Sequence, residues 1–123
     1  MKLENARILL TGAAGGLGSE LARQLTAAGS SLLLAGRNAK RLEALCETLG
    51  TNAAVVAADL TSTEGVAQTV RAAQAFNVNL LINNAGANSF GLLENQPWSS
   101  TAQVLAISLE APIHLTQALL PWL

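Results

Sequence analysis

The sequence predicts an α/β fold in which a doubly wound parallel sheet is built from four strand–helix units. Four short apolar runs recur at regular spacing, and each is nearly continuous in hydrophobicity, as in strands that are buried on both faces. Segments of helical period separate these runs, which is typical of right-handed crossovers between parallel strands. With 123 residues, of which 50% are hydrophobic and 12% charged, residues 1–123 are predicted to form one domain with a substantial core.

The first two units follow from apolar spacing and from helix start and stop signals. The run Ala6–Leu10 predicts the first strand, and Gly29 is the expected stop of the helix that follows. The run Ser31–Ala35 predicts the second strand, and Asn38 and Gly50 are the expected ends of the second helix. The apolar residues at helical spacing are Leu17, Leu21 and Leu25 in the first helix, and Leu42, Leu45 and Leu49 in the second.

The third and fourth units are predicted in the same way. The run Ala53–Ala57 predicts a strand, and Thr61–Glu64 fits a capping box at the start of the third helix. The run Asn79–Ile82 predicts the last strand, and Pro97 marks the start of the last helix. The helical spacing is carried by Val66, Val70 and Ala73 in the third helix, and by Trp98, Ala102, Leu105, Leu109, Ile113 and Leu120 in the last.

Composition excludes several classes of function. The net charge of −1 provides no basic field for nucleic acid or an anionic membrane surface, and no run of consecutive apolar residues approaches the ~20 needed to span a bilayer. A single cysteine, Cys46, allows no internal disulfide, so a cytoplasmic protein with a buried, unreactive thiol is expected. The single histidine, His114, has no partner at metal-ligand spacing, so it is predicted to be a helix-surface or interface residue and no metal site is expected.

The last strand is predicted to be an uncovered edge. A complete doubly wound domain has more than four strands, and the chain stops on the apolar segment Leu120–Leu123. We therefore expect the N-terminal part of a longer protein, truncated before the remaining strands.

The segment from Thr11 to Gly18 lies between the first strand and the first helix and is rich in glycine. Glycines permit a tight turn and a close approach of the backbone, and free N–H groups at a helix start attract an anion. A P-loop is excluded because no Gly-Lys-Ser/Thr follows. The alternative is a plain glycine-rich turn without a ligand.

Three motifs in this order resemble the short-chain dehydrogenase/reductase family over essentially the whole chain. Thr11, Gly12, Gly16 and Gly18 fill its Thr-Gly-x-x-x-Gly-x-Gly fingerprint, Asp59-Leu60-Thr61 follows the third strand, and Asn83-Asn84-Ala85-Gly86 follows the fourth. The resemblance implies a Rossmann-like fold that binds a nicotinamide dinucleotide. The cofactor-binding residues that it implies, taken with the pattern, are Thr11, Gly12, Ala14, Gly15, Gly16, Leu17, Gly18, Arg37, Asp59, Leu60, Asn83, Ala85 and Gly86.

The end of the second strand predicts NADP(H) rather than NAD(H). Gly36 stands where NAD-using members of the family typically carry aspartate, and the guanidinium of Arg37 suits a 2′-phosphate. The alternative for Arg37 is a solvated residue in the first helical turn. Gly15 lies where many NADP-using members carry a second basic residue.

The resemblance also assigns roles beyond the second strand. Asp59 is expected to accept a hydrogen bond from adenine, beside the Leu60 N–H, although a helix cap or turn former is the alternative. Asn83 is expected to hold the end of the fourth strand by bonding to neighbouring backbone. The backbones of Ala85 and Gly86 then lie against the ribose, where a side chain at position 86 would block the approach.

The family's catalytic tyrosine and lysine have no counterpart in this chain. The sequence has no tyrosine, and its lysines, Lys2 and Lys40, precede the first strand and begin the second helix. Ser108 stands at the position of a family asparagine that helps to hold a water, but a helical serine more often bonds to a carbonyl one turn earlier. We therefore expect no complete catalytic set.

The sequence thus predicts the cofactor-binding half of an NADP-dependent oxidoreductase that interconverts a hydroxyl and a carbonyl on a small molecule, inactive alone. The loop Asn88–Gln96 is a candidate substrate wall, and the last helix a candidate homo-oligomer interface by resemblance. The alternative is a stand-alone, non-catalytic dinucleotide-binding or sensing module. A Rossmann-like methyltransferase is disfavoured because the second strand ends without an acidic residue to bind a ribose diol.

Overall fold

A parallel sheet of four strands forms the centre of the computed structural model, which describes residues 2–123. The strands are β1 (Arg7–Thr11), β2 (Ser31–Gly36), β3 (Ala53–Ala57) and β4 (Leu80–Ile82), in the spatial order β3-β2-β1-β4. The predicted α/β fold with a parallel, Rossmann-like sheet is therefore confirmed. The order reverses between β1 and β4, and ligands of open α/β sheets bind where this happens.

The register of the strands brings their carboxyl ends to one edge of the sheet. Thr11 pairs with Ala35 of β2, and Leu10 pairs with Ile82 of β4. Gly36 in turn pairs with Ala57. The residues that follow each strand are therefore neighbours at this edge, although they are far apart in the sequence.

Within residues 2–123, five α-helices connect and cover the strands. They are α1 (Gly16–Ala27), α2 (Ala39–Leu49), α3 (Thr63–Ala75), α4 (Trp98–Leu105) and α5 (Ala111–Leu119). A π-helical turn at Ala106–Glu110 joins α4 to α5, so that they form one continuous helical run. The last helix of the sequence prediction is therefore present, but it is interrupted by a π-helical turn, in which each turn contains more residues.

The helix caps agree with the sequence at α2 and differ at α3. The Asn38 side chain accepts a hydrogen bond from the Arg41 N–H at 3.1 Å, as predicted for a cap. At α3 the cap is Ser62, whose Oγ accepts from the Gly65 N–H at 2.9 Å. The expectation that Thr61 begins a capping box is wrong, because the Thr61 hydroxyl donates to Asp59 instead.

The core lies on both faces of the sheet because successive strand residues point to opposite sides. Ile8 and Leu10 pack with β2 beneath α1 and α2, while Leu9 faces the other side with α3 and α5. Side chains that are fully buried on the first face include Leu32, Leu34 and Leu42. This is the packing that the continuous apolar runs predict.

The C-terminal helical run places its apolar residues on two faces. Ala111, Leu115 and Leu119 are buried against α3 and the sheet. The apolar stripe identified by helical spacing lies largely on the exposed face, where it includes Trp98, Leu105, Leu109, Ile113 and Leu120. Spacing therefore identified the helix correctly but could not show which of its apolar faces the sheet covers.

The helical segment Trp98–Trp122 is also long and apolar enough, by length and composition alone, to cross a membrane. Polar residues such as Ser99, Thr101 and Gln103 interrupt this segment, so it contains no run of about 20 consecutive apolar residues. Core helices of soluble proteins meet the same criterion of length and hydropathy. In this segment, Leu115 and Leu119 are fully buried.

Candidate functional site

A cavity of about 260 Å³ opens at the carboxyl-terminal edge of the sheet. It lies between the glycine turn after β1, the start of α2, the segment after β3 and the segment after β4. Seven of the predicted cofactor-binding residues line it: Gly12, Ala14, Gly15, Arg37, Leu60, Ala85 and Gly86. The structure thus brings all three sequence motifs to one concave site.

Two glycines of the turn are required by the packing of the backbone. Gly12 has a φ of +62°, and a Cβ there would lie 2.8 Å from the Ala85 Cα. A Cβ on Gly18 would lie 2.1 Å from the carbonyl oxygen of Gly12, inside any possible contact distance. Side chains at these positions are excluded by the protein itself, whether or not a ligand binds.

Gly16 differs from these two, because a Cβ there would meet no atom within 4 Å. Gly16 is the first residue of α1, where free N–H groups and the positive end of the helix dipole face outward. A site that is open in the protein and positive at a helix start suits the diphosphate of a dinucleotide. The residues present therefore fit this part of the cofactor.

A hydrogen-bonded clamp joins the turn after β1 to the end of β4. The buried Thr11 Oγ1 accepts from the N–H groups of Asn84 and Ala85 at 3.1 and 2.9 Å. The Asn84 Nδ2 donates to the carbonyl oxygens of Thr11 and Gly12 at 3.1 and 3.2 Å. Thr11 and Asn84 therefore act on the shape of the cavity without lining it.

Asn83 does not perform the role that the sequence assigned to it. Its Nδ2 lies 3.4 Å from the Thr116 Oγ1 of α5, and it is absent from the cavity wall. Consecutive residues of an extended chain point to opposite sides, so only one of two adjacent asparagines can face the glycine turn. In the structure it is Asn84 that bonds to the glycine turn, and two adjacent asparagines in the sequence do not show which of them does so.

Asp59 is an exposed turn former in this structure. Its Oδ1 accepts from the Thr61 N–H at 3.0 Å and from the Thr61 hydroxyl at 2.7 Å. These hydrogen bonds lower the pKa of the Asp59 carboxyl, and the nearby charge of Arg37 lowers it further. Asp59 does not line the cavity, whereas the adjacent, buried Leu60 does. The geometry therefore agrees with the turn-forming alternative.

Ser108 bonds across the site rather than back along its own helix. Its Oγ accepts from the Ala87 N–H at 3.3 Å, just after the Asn-Asn-Ala-Gly motif. The expectation that it bonds to a carbonyl one turn earlier is wrong, because it lies in the π-helical turn. The same turn places Ile107 in the cavity wall, and Gln103 of α4 also lines it.

Sequence reasoning missed Arg41, Gln103 and Ile107 as cavity residues. Arg41 is in the first turn of α2, and its Nη2 donates to the Ala14 carbonyl oxygen at 3.0 Å. The only signal for it was its proximity to Arg37 in a strongly basic segment. Gln103 and Ile107 gave no signal, because their approach depends on how the C-terminal run crosses the edge of the sheet.

Several predicted residues lie outside the cavity wall. Besides Thr11, Asp59 and Asn83, these are Gly16, Leu17 and Gly18 at the start of α1. Leu17 is exposed, so its helical spacing with Leu21 and Leu25 does not bury it. Gly16 and Leu17 border open space beyond the wall, while Gly18 is buried against the turn.

The remaining candidates carry no chemistry at this site. His114 is exposed, and within residues 2–123 no three His, Cys, Asp or Glu side chains form a metal-binding group. Cys46 is partly buried and its Sγ lies 3.3 Å from the Ala53 carbonyl oxygen. Burial raises the pKa of the Cys46 thiol, and the Glu47 carboxylate adds to the effect. This fits the prediction of an unreactive thiol.

Comparison with known proteins supports the same interpretation. The sequence pattern of the family described as short chain dehydrogenase matches residues 6–123. Dehydrogenase/reductase SDR family member 7B of Rattus norvegicus is 36% identical over 97% of this chain. Nodulation protein G of Rhizobium sp. (strain N33) is 33% identical over 96% of it.

A solved structure extends the likeness to three dimensions. A metagenomic short-chain oxidoreductase in complex with NADP superposes with a TM-score of 0.90 at 28% identity, over 99% of this chain. The chain spans only part of these proteins: 40% of the rat protein, 49% of the Rhizobium protein and 58% of the metagenomic one.

Proposed function

The chain belongs to the short-chain dehydrogenase family, and on this premise we propose that it binds NADP(H) as the cofactor-binding part of an oxidoreductase. The parent reaction would interconvert a hydroxyl and a carbonyl on a small organic molecule. The proposal rests chiefly on the cavity at the sheet edge, where the glycine turn, Arg37 and the Ala85–Gly86 backbone meet. This is the place where open α/β sheets bind ligands.

The charge of the cavity supports the phosphorylated dinucleotide. Arg37 and Arg41 are the ionised side chains in its wall, and Gly36 ends β2 where a carboxylate would repel a 2′-phosphate. A guanidinium forms forked, charge-assisted hydrogen bonds with phosphate. The metagenomic relative was solved with NADP. We therefore favour NADP(H) over NAD(H) for this chain.

In this proposal each segment holds a different part of the cofactor. The start of α1 receives the diphosphate and the start of α2 the 2′-phosphate. Leu60 of the cavity wall receives the adenine, and the Asp59 oxygen that is not bonded to Thr61 is the proposed acceptor from the adenine amino group. The backbone of Ala85 and Gly86 lies against a ribose, with room because the nearest atom to a Cβ on Gly86 would be the Ser108 Oγ at 3.8 Å. When bound, the nicotinamide supplies the hydride of the reaction.

We further propose that this chain does not turn over alone. It contains no tyrosine to give or take the substrate proton. Since the chain covers 40–58% of the three relatives described above, the proton donor would belong to a longer protein, of which this is the N-terminal part. We assign that protein to the reducing cytoplasm, with the exposed face of α4 and α5 as a self-association surface.

Calorimetric titration of the full chain with NADPH and with NADH tests the cofactor proposal. We expect saturable binding of NADPH and weaker binding of NADH. Absence of binding by either would refute the proposal, and tighter binding of NADH would refute the assignment of Arg37.

The substitution Gly16→Asp provides a sharper test, because the position is open in the protein. A carboxylate at a helix start does not oppose the helix dipole, but it repels a diphosphate. We expect G16D to lose NADPH binding while the melting temperature stays near that of the parent chain. The matched control is Ser99→Asp, which adds the same charge to the exposed first turn of α4 and should bind NADPH normally.

The absence of tyrosine also favours the second candidate, a stand-alone dinucleotide-binding or sensing module. That candidate predicts a monodisperse, cooperatively melting protein that binds NADPH. The fragment hypothesis predicts association or loose packing through the uncovered β4 edge and the exposed helical face. Sedimentation and a thermal melt of the full chain distinguish them. The coding sequence beyond Leu123 gives an independent answer: a downstream serine and Tyr-x-x-x-Lys would favour the oxidoreductase.

A further inference from the structure

Gln103 of α4 is a cavity residue that the proposed function leaves without a role. It lines the wall together with Ile107, which lies four residues further along the C-terminal helical run. Residues at this spacing share one face of a helix, so the pair presents an amide and an aliphatic side chain next to each other. The helical run therefore contributes both a polar and an apolar group to the cavity.

Ile107 indicates which part of the cavity this pair faces. Its side chain packs against the hydrophobic cluster that contains the buried Leu60. Leu60 lines the same wall and, in the proposed function, receives the adenine. Because Gln103 lies about one helical turn from Ile107, we place its amide at the adenine end of the cavity.

The Gln103 amide is available to a ligand. The residue is exposed, and no hydrogen bond within residues 2–123 engages its side chain. Hydrogen bonds do engage the side chains of Asn38, Arg41 and Thr61, which line the same wall. Arg37, the remaining cation of the wall, carries donors but no acceptor. Gln103 therefore offers a free acceptor together with free donors.

An amide complements the edge of adenine. That edge presents the 6-amino donor beside a ring nitrogen that accepts, and a glutamine amide pairs with both. Ligand sites combine a mainly apolar lining with a few polar groups that fix the orientation of the ligand. Leu60 and Ile107 provide such a lining, and Gln103 provides a polar group beside it.

We propose that Gln103 binds the amino edge of the adenine, with its Oε1 accepting from the 6-amino group and its Nε2 donating to the ring nitrogen beside that group. This inference rests on the proposed function and adds a residue of the C-terminal helical run to the binding of the base. The amino group carries two hydrogens, so Gln103 acts beside the Asp59 carboxylate and does not compete with it.

The test compares NADPH with its analogue in which hypoxanthine replaces adenine, so that a carbonyl oxygen takes the place of the 6-amino group. The Gln103 amide can rotate to donate to that oxygen, whereas a side chain that only accepts or only donates cannot adapt. Calorimetric titration of the full chain gives the dissociation constant of each ligand. The informative quantity is the constant for the analogue divided by that for NADPH, because the two ligands carry the same phosphates and a general effect of charge cancels.

Two substitutions fix the direction of the hydrogen bond. Gln103→Glu only accepts, so it keeps a partner for the amino group and repels the carbonyl oxygen, and we expect the ratio to rise by about tenfold. Gln103→Lys only donates, so we expect the ratio to fall by about tenfold. Gln103→Met removes both functions at similar length and should weaken NADPH binding by about threefold to tenfold, as expected for the loss of a neutral hydrogen bond. Thermal melts verify that each variant is folded.

Gln117→Glu and Gln117→Lys are the matched controls, because they add the same charges to an exposed residue of α5 that does not line the cavity. Opposite shifts of the ratio at position 103, with none at position 117, support the inference. An unchanged ratio, shifts in the same direction, or equal shifts at position 117 overturn it. Should one charged variant at position 103 fail to fold, an unchanged ratio in the other would overturn it. If the parent chain does not bind NADPH, the proposed function fails, and this inference with it; if the parent binds NADPH and the ratio never moves, only this inference fails.

Discussion

The two sides of the molecule differ in how completely they are packed. In the first region, which is built on β1 and β2, four of the five β1 residues and four of the six β2 residues are buried. In the other region all three residues of β4 are only half-buried, and the C-terminal helical run leaves large apolar side chains exposed. The first region has the packing of a finished core, whereas the second presents apolar surface to solvent.

This difference shows that the candidate cofactor site depends mainly on the well-packed region. The glycine turn, the start of α2 and the segment after β3 all extend from strands β1 to β3, which are each paired in the sheet. The other region contributes Ala85, Gly86 and Ala87 after β4, and Gln103 and Ile107 from the helical run. Most of the cavity wall is therefore attached to well-packed strands, and we expect it to keep its shape even if the helical run moves.

The largest expected effect compares one leucine from each region. Leu10→Ala empties a fully buried position at the centre of the sheet and should cost about 2–5 kcal/mol of unfolding free energy. Leu109→Ala changes a side chain that is 54% exposed and should alter stability by no more than about 0.5 kcal/mol. Urea unfolding of both variants provides the measurement. A loss in L109A comparable to that in L10A would mean that the exposed face is covered in solution.

A second comparison uses one glycine from each region. Gly18→Ala places a Cβ 2.1 Å from a backbone oxygen, so the turn or α1 must shift, and we expect a loss of about 1–3 kcal/mol or more. Gly86→Ala meets only the Ser108 Oγ at 3.8 Å, an ordinary contact, and should stay within about 0.5 kcal/mol of the parent chain. Thermal melts should separate them, and titration with NADPH should show that G86A binds more weakly although it is stable. Unimpaired NADPH binding by G86A would contradict the proposed position of the cofactor ribose.

The contrast between the regions also explains which parts of the fold could be predicted from sequence. The strand Ala53–Ala57 was predicted to the residue and the other three to within one residue at each end, because each gives a short, nearly uninterrupted apolar run. The helical run was predicted as one helix, yet its π turn and its buried face were not. Apolar residues occur on more than one side of that run, and only the position of the sheet decides which of them are covered.

The same limit applies to the candidate site. The glycine turn and Arg37 could be identified because they follow strands directly, and register brings strand ends together. Two contacts depend on side-chain direction, which the local sequence does not show. They are the hydrogen bond of Asn84, rather than Asn83, to the glycine turn and that of Arg41 to Ala14. Gly65 is a further case: a Cβ there would lie 1.8 Å from the Asp59 carbonyl oxygen, a close approach that no sequence motif marked.

The two asparagines provide a third comparison, since each is tied to a different region. Asn84→Ala removes two hydrogen bonds to the turn after β1 and leaves partly buried carbonyls unpaired, at an expected cost of about 1–3 kcal/mol. Asn83→Ala removes one long contact to Thr116 of α5, and we expect a change within about 0.5 kcal/mol. Denaturant unfolding measures both. Equal losses would mean that the contact to α5 is stronger than its 3.4 Å length indicates.

The smallest expected effect concerns the acid stability of the turn at Asp59. Hydrogen bonds from Thr61, and secondarily the charge of Arg37, lower the pKa of the Asp59 carboxyl below its ordinary value of 3.8. The folded state therefore favours the ionised form, so this contribution to stability is complete above pH 3.8 and is lost as the pH falls through the folded-state pKa. We expect Asp59→Asn to be slightly less stable than the parent chain near neutral pH and nearly equal to it at about pH 2, where the parent carboxyl is also uncharged.

Thr61→Ala separates the side-chain hydrogen bond from the other causes of this shift. It removes the side-chain hydrogen bond, the largest cause, but leaves the Thr61 backbone donor position and Arg37 in place. T61A should therefore show a pH dependence between those of the parent chain and D59N, measured as the unfolding midpoint in urea from neutral to acid pH. A profile for T61A as steep as that of the parent chain would assign the shift to the backbone N–H of residue 61 and to Arg37 instead.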